Sequence, residues 1–472
     1  MSSQPQIAVL GAGPAGLGAA WKFAQRKSFG VSLIERNSTV GGNAGSFPFA
    51  GMQVDFGSHR LHPACDPEIL ADIRGMLGED LLDRPRHGRI RLRGRWVHFP
   101  LKPLDLVSNL PLSFTAGALS DSLKKFVSKP SGDALTFADV LERGLGKTIC
   151  RDFYFPYAHK IWGVSPQELD QEQARRRVAA GSVTKLVRKV LRAVPGFRPK
   201  AGQRFYYPRN GYGDISDAYH REAVRAGADV KLDTSVTGIE AADGKVVVHC
   251  RNADGDHAIA ARQVLSTIPV THLVRSFTPE APADVQQAAC SLQFRAMILI
   301  YVALETEQFT EFDAHYLPGP EVQITRLSEP KHYGLATVPG TTVLCAELPC
   351  SPQDPVWRSS DKDLAELVMR SLASVGLPTG FRILDVTSRR LPQAYPIYTR
   401  NYSQHFDRID QWLNSLDGLL TFGRQGLFAH DNTHHALAMA YALNDCISDS
   451  GTLDRAKWAS CRHAFQHHVV ED

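Results

Sequence analysis

The chain has 472 residues, 43% of them hydrophobic, and a formal net charge of +4. That length suits two or more structural domains, and so mild a charge excludes a nucleic-acid binder built on a basic surface. The eight cysteines form no CxxC pair, which argues against zinc and for reduced, packed thiols. The chain starts with a short polar leader rather than a secretory signal. Its longest apolar run, 296–304, is too short to span a bilayer and reads as a buried strand. A cytoplasmic protein without a transmembrane segment is expected.

Residues 6–10 read as a strand, a helix-like run follows, and 31–35 read as a second strand ending at Glu35. Between strand and helix lies a GxGxxG turn made by Gly11, Gly13 and Gly16. Gly11 permits the tight turn, Gly13 lets a pyrophosphate approach the backbone, and Gly16 lets the helix lie close on the sheet. The helix N-terminus offers free N–H groups to phosphate oxygens. Glu35 stands 19 positions after Gly16, where an acid binds ribose hydroxyls. Ala15 within the turn and Arg36 beside the acid join the expected contacts. This is a dinucleotide site. The pair Gly41 and Gly42, with Asn43 next to it, suits a loop that passes close to the ligand. A short strand and a glycine turn then present His59, Arg60 and His62.

The combination GAGPAG, Glu35, GGNAGSF and VDFGSHRLH resembles the glutathione-reductase-type FAD proteins. Within them it resembles the branch of amine oxidases, protoporphyrinogen oxidases and UDP-galactopyranose mutases. The resemblance implies FAD as the ligand of the fingerprint. It also implies an α/β fold: a Rossmann-like FAD-binding domain, discontinuous over 1–62, 203–270 and 415–472, and an α+β substrate domain over 63–202 and 271–414.

Further along, Arg89, Arg91, Arg93 and Arg95 alternate with other residues. In one strand they would share a face, either as a charged edge or as an attraction for an anionic substrate. Residues 153–169 are rich in aromatics, either core or a stacking platform. A helical run then carries Arg175, Arg176 and Arg177. The Tyr-x-x-Lys-x-Trp-Gly pattern here resembles the mutases, which implies that Trp162 and one of the three arginines, taken as Arg176, hold substrate. Residues 184–194 read as a basic, solvated helix face.

Sheet character returns at 205–268, where the family places Val236 against the adenine side of FAD. Arg295 stands at the mouth of the apolar strand, and the resemblance places it over the substrate. Arg326 and Tyr333 are weaker candidates, and Tyr395 and Tyr398 are further substrate candidates. A strand, a Gly-Arg turn and a helix then form a second anion-binding terminus. There the resemblance puts Gly423 and Arg424 at the pyrophosphate. The spacing of His430, His434 and His435 does not suggest a metal site.

Two chemistries follow from the resemblance. One is an FAD-dependent oxidoreductase that removes hydride from a small or anionic organic substrate, with His59, His62 and Arg295 as catalytic candidates. The alternative is a redox-neutral nucleotide-sugar mutase, from whose GPHIFH pattern the segment GSHRLH departs.

Overall fold

The computed structural model describes residues 4–99, 109–111, 113–114, 116–117, 120–121, 135–177, 204–242, 245–334 and 338–470. The expected basic helix face at 184–194 lies outside them. The first half of the fold is a five-stranded parallel sheet in the order Leu419–Thr421, Gln263–Ser266, Gln6–Leu10, Gly30–Ile34, Asp229–Lys231. Strand Gln6–Leu10 is central and buried after its first residue, as a strand covered by helices on both faces must be. Helix Pro14–Gln25 crosses over to Gly30–Ile34, and helix Thr433–Asn444 packs beside it. Gly18 makes that approach possible: a Cβ there would lie 3.0 Å from Leu437.

The second half is a seven-stranded mixed sheet. Its order is Ile383–Ile397, Gln293–Glu305, Thr341–Cys350, Arg326–Ser328, Ala314–Tyr316, Gly88–Leu92, Arg95–Phe99. The apolar strand sorts its residues by period two. Ala296, Ile298, Ile300 and Val302 pack into one core together with Leu364 and Val368 of helix Asp361–Ser374. Met297, Leu299 and Tyr301 face the opposite way, onto Phe49, Met52 and Val54. That second face looks toward the parallel sheet, so the sheet both closes its own core and forms a wall between the halves.

The arginine run does not form one strand. Arg93 and Gly94 both have positive φ, at 50° and 75°, and make the turn of a hairpin in which Leu92 pairs with Arg95. Arg89 and Arg91 therefore lie on one strand and Arg95 on the next. The Arg89 guanidinium is spent on the Trp96 and Phe312 rings, 4.3 and 4.5 Å away.

All eight cysteines are free thiols. Among the described residues no helix is long and apolar enough to cross a membrane.

Candidate active site

A cavity of about 1090 Å³ runs from the fingerprint turn of the parallel sheet to the inner face of the mixed sheet. Its first end is a backbone cradle. Helix Pro14–Gln25 begins at Gly13 with no side-chain cap, so its first-turn N–H groups remain available to an anion. A Cβ on Gly16 would lie 1.9 Å from the carbonyl oxygen of Gly11, whereas one on Gly13 would meet no atom within 4 Å. Gly16 is thus required by packing, whereas Gly13 leaves its side of the cradle open to the cavity. The Gly41 amide donates to Ala12 O at 2.8 Å, which folds the second glycine loop over the first. A Cβ on Gly42 would reach within 3.5 Å of Gly13 Cα, and one on Gly423 within 2.8 Å of Ala15 Cβ.

Glu35 is buried beside this cradle. Its Oε2 accepts from the Ala12 amide at 2.8 Å and its Oε1 from the Asn37 amide at 2.9 Å. Arg36, Asn43 and Val236 line the same end of the cavity. Open amides at a helix start next to a fixed carboxylate suit a dinucleotide, with pyrophosphate at the first and ribose at the second.

The other end is cationic and aromatic. Arg326 donates to Glu347 Oε1 through Nη2 at 2.6 Å and Nε at 2.9 Å. Arg60 donates from Nη2 to the Tyr333 hydroxyl at 3.0 Å and to Asp313 at 3.2 Å. Arg177 stands 5.2 Å over the Tyr395 ring and 6.0 Å over Trp162. Arg424 lies 5.3 Å from Tyr395 and donates to Ala394 O at 2.7 Å. Burial lowers the Arg424 pKa from its ordinary value, and Arg177 adds repulsion. His59 stacks on Tyr212 at 5.2 Å, with Nε2 2.9 Å from Phe56 O. Burial lowers the His59 pKa against the pull of Asp55, which favours the neutral ring.

In all, seven arginines and four carboxylates line the cavity. Three of the carboxylates are already engaged: Glu35 by amides, Glu347 by Arg326, and Asp431 by His468. The Nε atoms of Arg60 and Arg424 and the indole Nε1 of Trp162 are buried donors without a partner.

Residues 14–442 match the family of flavin-containing amine oxidoreductases. The chain belongs to that family. It is accordingly an FAD-dependent oxidoreductase by family, and the open cradle fits the cofactor. Polyamine oxidase 4 of Oryza sativa subsp. japonica is 24% identical over 384 residues, which cover 79% of this chain and 73% of that protein. The fold is similar to that of a reduced UDP-galactopyranose mutase, with a TM-score of 0.77 and 20% identity over 93% of both chains. It is also similar to a protein assigned as a protoporphyrinogen oxidase from Exiguobacterium sp. 255-15. There the TM-score is 0.73 and identity 19%, over 94% of this chain and 98% of that one.

In this flavoenzyme the expected cofactor residues Gly11, Gly13, Ala15, Glu35, Arg36, Gly42, Asn43 and Val236 all line one cavity, and Gly16 lies just beneath it. Gly423 packs on Ala15, but Arg424 turns away from the fingerprint to brace the strand Ile383–Ile397. His59, Trp162 and Tyr395 line the substrate end.

Besides Gly16 and Gly423, four expected site residues are not on the cavity wall. His62 accepts from the Ala64 amide at 3.1 Å and faces His434, with ring centroids 6.5 Å apart. Arg295 donates to Ser351 Oγ at 2.9 Å and fills the space where Gly163 lacks a Cβ. It braces the turn after Trp162 and does not line the cavity. Tyr398 is buried, donates to Phe428 O at 2.9 Å and stacks on Tyr402 at 4.0 Å. Arg176 is held by Glu172 at 3.0 Å. The cavity arginine of that helix is Arg177, because one residue turns a helix by about 100°.

Arg86, Arg390, Tyr154 and Tyr157 also line the cavity, and the sequence marks none of them singly. Arg389 and Arg390 are neighbours on one strand, so period two sends them to opposite faces. Arg390 pairs with Ile298 and donates to Trp357 O and Ser359 O, 2.7 and 2.6 Å away, while Arg389 lies 4.2 Å over the Phe47 ring on the inner face.

Proposed function

We propose that this flavoenzyme oxidises a small organic substrate carrying at least one anionic group, held between Tyr395 and Trp162 and neutralised by Arg177, Arg326 and Arg60. The observation that carries the reading is the sign of the substrate end. Its arginines outnumber its carboxylates, and against one unpartnered carboxylate oxygen, Asp431 Oδ2, stand the unpartnered N–H donors of Arg60, Arg424 and Trp162. A polyamine would meet like charge there, and like-charge juxtaposition at a buried site is unfavourable. A carboxylate or phosphate would instead satisfy the arginines through charge-assisted bonds.

The bound flavin supplies a two-electron acceptor for hydride removal. The residues of the chain bind and orient the substrate for that step. Arg177 and Arg326 fix the anionic group, while the Tyr395 and Trp162 rings form the apolar wall. His59 is a neutral imidazole at the boundary between the two ends, suited to accept a proton from a substrate O–H or N–H.

Titration of the FAD-loaded protein with small carboxylates, organic phosphates and putrescine, followed by flavin difference spectra, tests the reading. Anions should perturb the spectrum saturably and putrescine should not. Saturation by putrescine alone would overturn the proposal. Turnover of a nucleotide sugar without net flavin oxidation would move the reading to the redox-neutral alternative, for which the same arginines would hold the phosphates.

A further inference from the structure

We propose that Asp431, His435 and His468 form a site for one divalent transition-metal ion. The ion would clasp the C-terminal segment to the start of helix Thr433–Asn444. Asp431 lies just before the N-cap of helix Thr433–Asn444, and His435 lies in that helix's first turn. His468 comes from beyond the end of helix Arg455–Phe465.

The Asp431 side chain is wholly buried. Its Oδ1 lies 3.2 Å from His468 Nδ1 and 3.6 Å from His435 Nδ1. One donor atom from each of the three residues can be chosen so that all lie within 4.8 Å of one another. Donors roughly 2.0–2.2 Å from a tetrahedral ion stand about 3.3–3.6 Å apart, close to the two Asp431–imidazole distances. The two imidazoles stack at 4.3 Å with 15° between their planes, so their Nδ1 atoms approach the carboxylate together.

Two further atoms point to a missing partner. Asp431 Oδ2 and His434 Nδ1 are buried without a hydrogen bond, and the His434 ring is 4.1 Å from that of His435. A buried carboxylate oxygen left unpaired is costly, and an ion would satisfy it. Two contacts compete, the His468 Nδ1–Asp431 Oδ1 hydrogen bond at 3.2 Å and the Asn432 amide 3.3 Å from His435 Nδ1, and coordination would supersede both.

The site would have a consequence for the substrate pocket. The segment carrying His468 continues to Val470, whose amide donates to Arg176 O at 2.9 Å. A filled site would therefore steady the end of helix Gln171–Arg177, where Arg177 meets Tyr395.

The test uses FAD-loaded full-length protein, stripped with chelator and titrated with zinc chloride by calorimetry. The expected result is one equivalent of zinc, with affinity lowered at least ~10-fold in His468→Ala and in His435→Ala and unchanged in His463→Ala. Zinc should raise the melting temperature of the parent and not of His468→Ala. Should either variant fail to fold, anomalous scattering at the zinc edge from parent crystals decides, with a peak expected among the three side chains. No saturable equivalent, equal affinity in His468→Ala, or no such peak would overturn the site and leave an ordinary carboxylate–imidazole bond.

Discussion

Arg177 lies 5.2 Å over the ring of Tyr395 and so joins the end of helix Gln171–Arg177 to the strand Ile383–Ile397 across the mouth of the cavity. Its neighbour Arg176 points instead into a half-buried pair with Glu172. The two residues should therefore fail differently. Arg177→Ala should raise KM for an anionic substrate by ~10- to 100-fold, the worth of one charge-assisted bond, with kcat and melting temperature little changed. Arg176→Ala should lower the melting temperature and leave KM nearly intact. Steady-state kinetics and thermal unfolding of both variants check this.

The fingerprint glycines separate packing from ligand approach. In Gly16→Ala the new methyl would overlap the Gly11 carbonyl oxygen, 1.9 Å away, and fold and FAD binding should be lost together. In Gly13→Ala the methyl meets no protein atom within 4 Å. The apoprotein should melt as the parent does while FAD affinity falls at least tenfold, about 1.4 kcal/mol. Flavin fluorescence titration and apoprotein melting distinguish the two.

Glu347 is 5% exposed and relies on Arg326. Arg326→Met should destabilise the fold by about 3–5 kcal/mol, because it strands a buried charge. The double variant Arg326→Met with Glu347→Leu should recover much of that loss and still fail to bind an anionic substrate. Urea unfolding and spectral titration measure the two effects.

His315 sets part of the acid limit. Burial drives its pKa down to about 3 from an ordinary 6.5, and Arg89 adds repulsion. The folded value lies below the unfolded one, so the unfolded state binds the extra proton. The stability from this group is present above 6.5, falls as pH drops below 6.5, and is lost by about 3. His315→Gln should remove about 2 kcal/mol of the loss between pH 7 and pH 5. Urea unfolding at those two pH values checks it. An equal loss in parent and variant would refute it.

The FAD cradle was legible because its parts are local. Gly11, Gly13, Gly16 and Glu35 act through spacing along one βαβ unit, and that spacing is written in the chain. The substrate end depends on rotation and register, which spacing does not carry. One helical step separates Arg177 from Arg176. The alternating arginines misled because Arg93 and Gly94 take positive φ and break one strand into two. Arg295 has the expected place at a strand mouth, but Gly163 opens a niche that takes its guanidinium off the cavity wall. His468 joins Asp431 across 37 residues, a distance at which no motif links them.

The central claim is that the flavin takes electrons from an anion held by Arg177 and Arg326. Anaerobic mixing of the FAD-loaded protein with a panel of organic acids and organic phosphates, and separately with putrescine and spermidine, tests it most directly. The account predicts bleaching of the oxidised flavin by at least one anionic compound, slowed or abolished in Arg177→Ala, and none by the polyamines. Bleaching by a polyamine, with the anions inert, would contradict it.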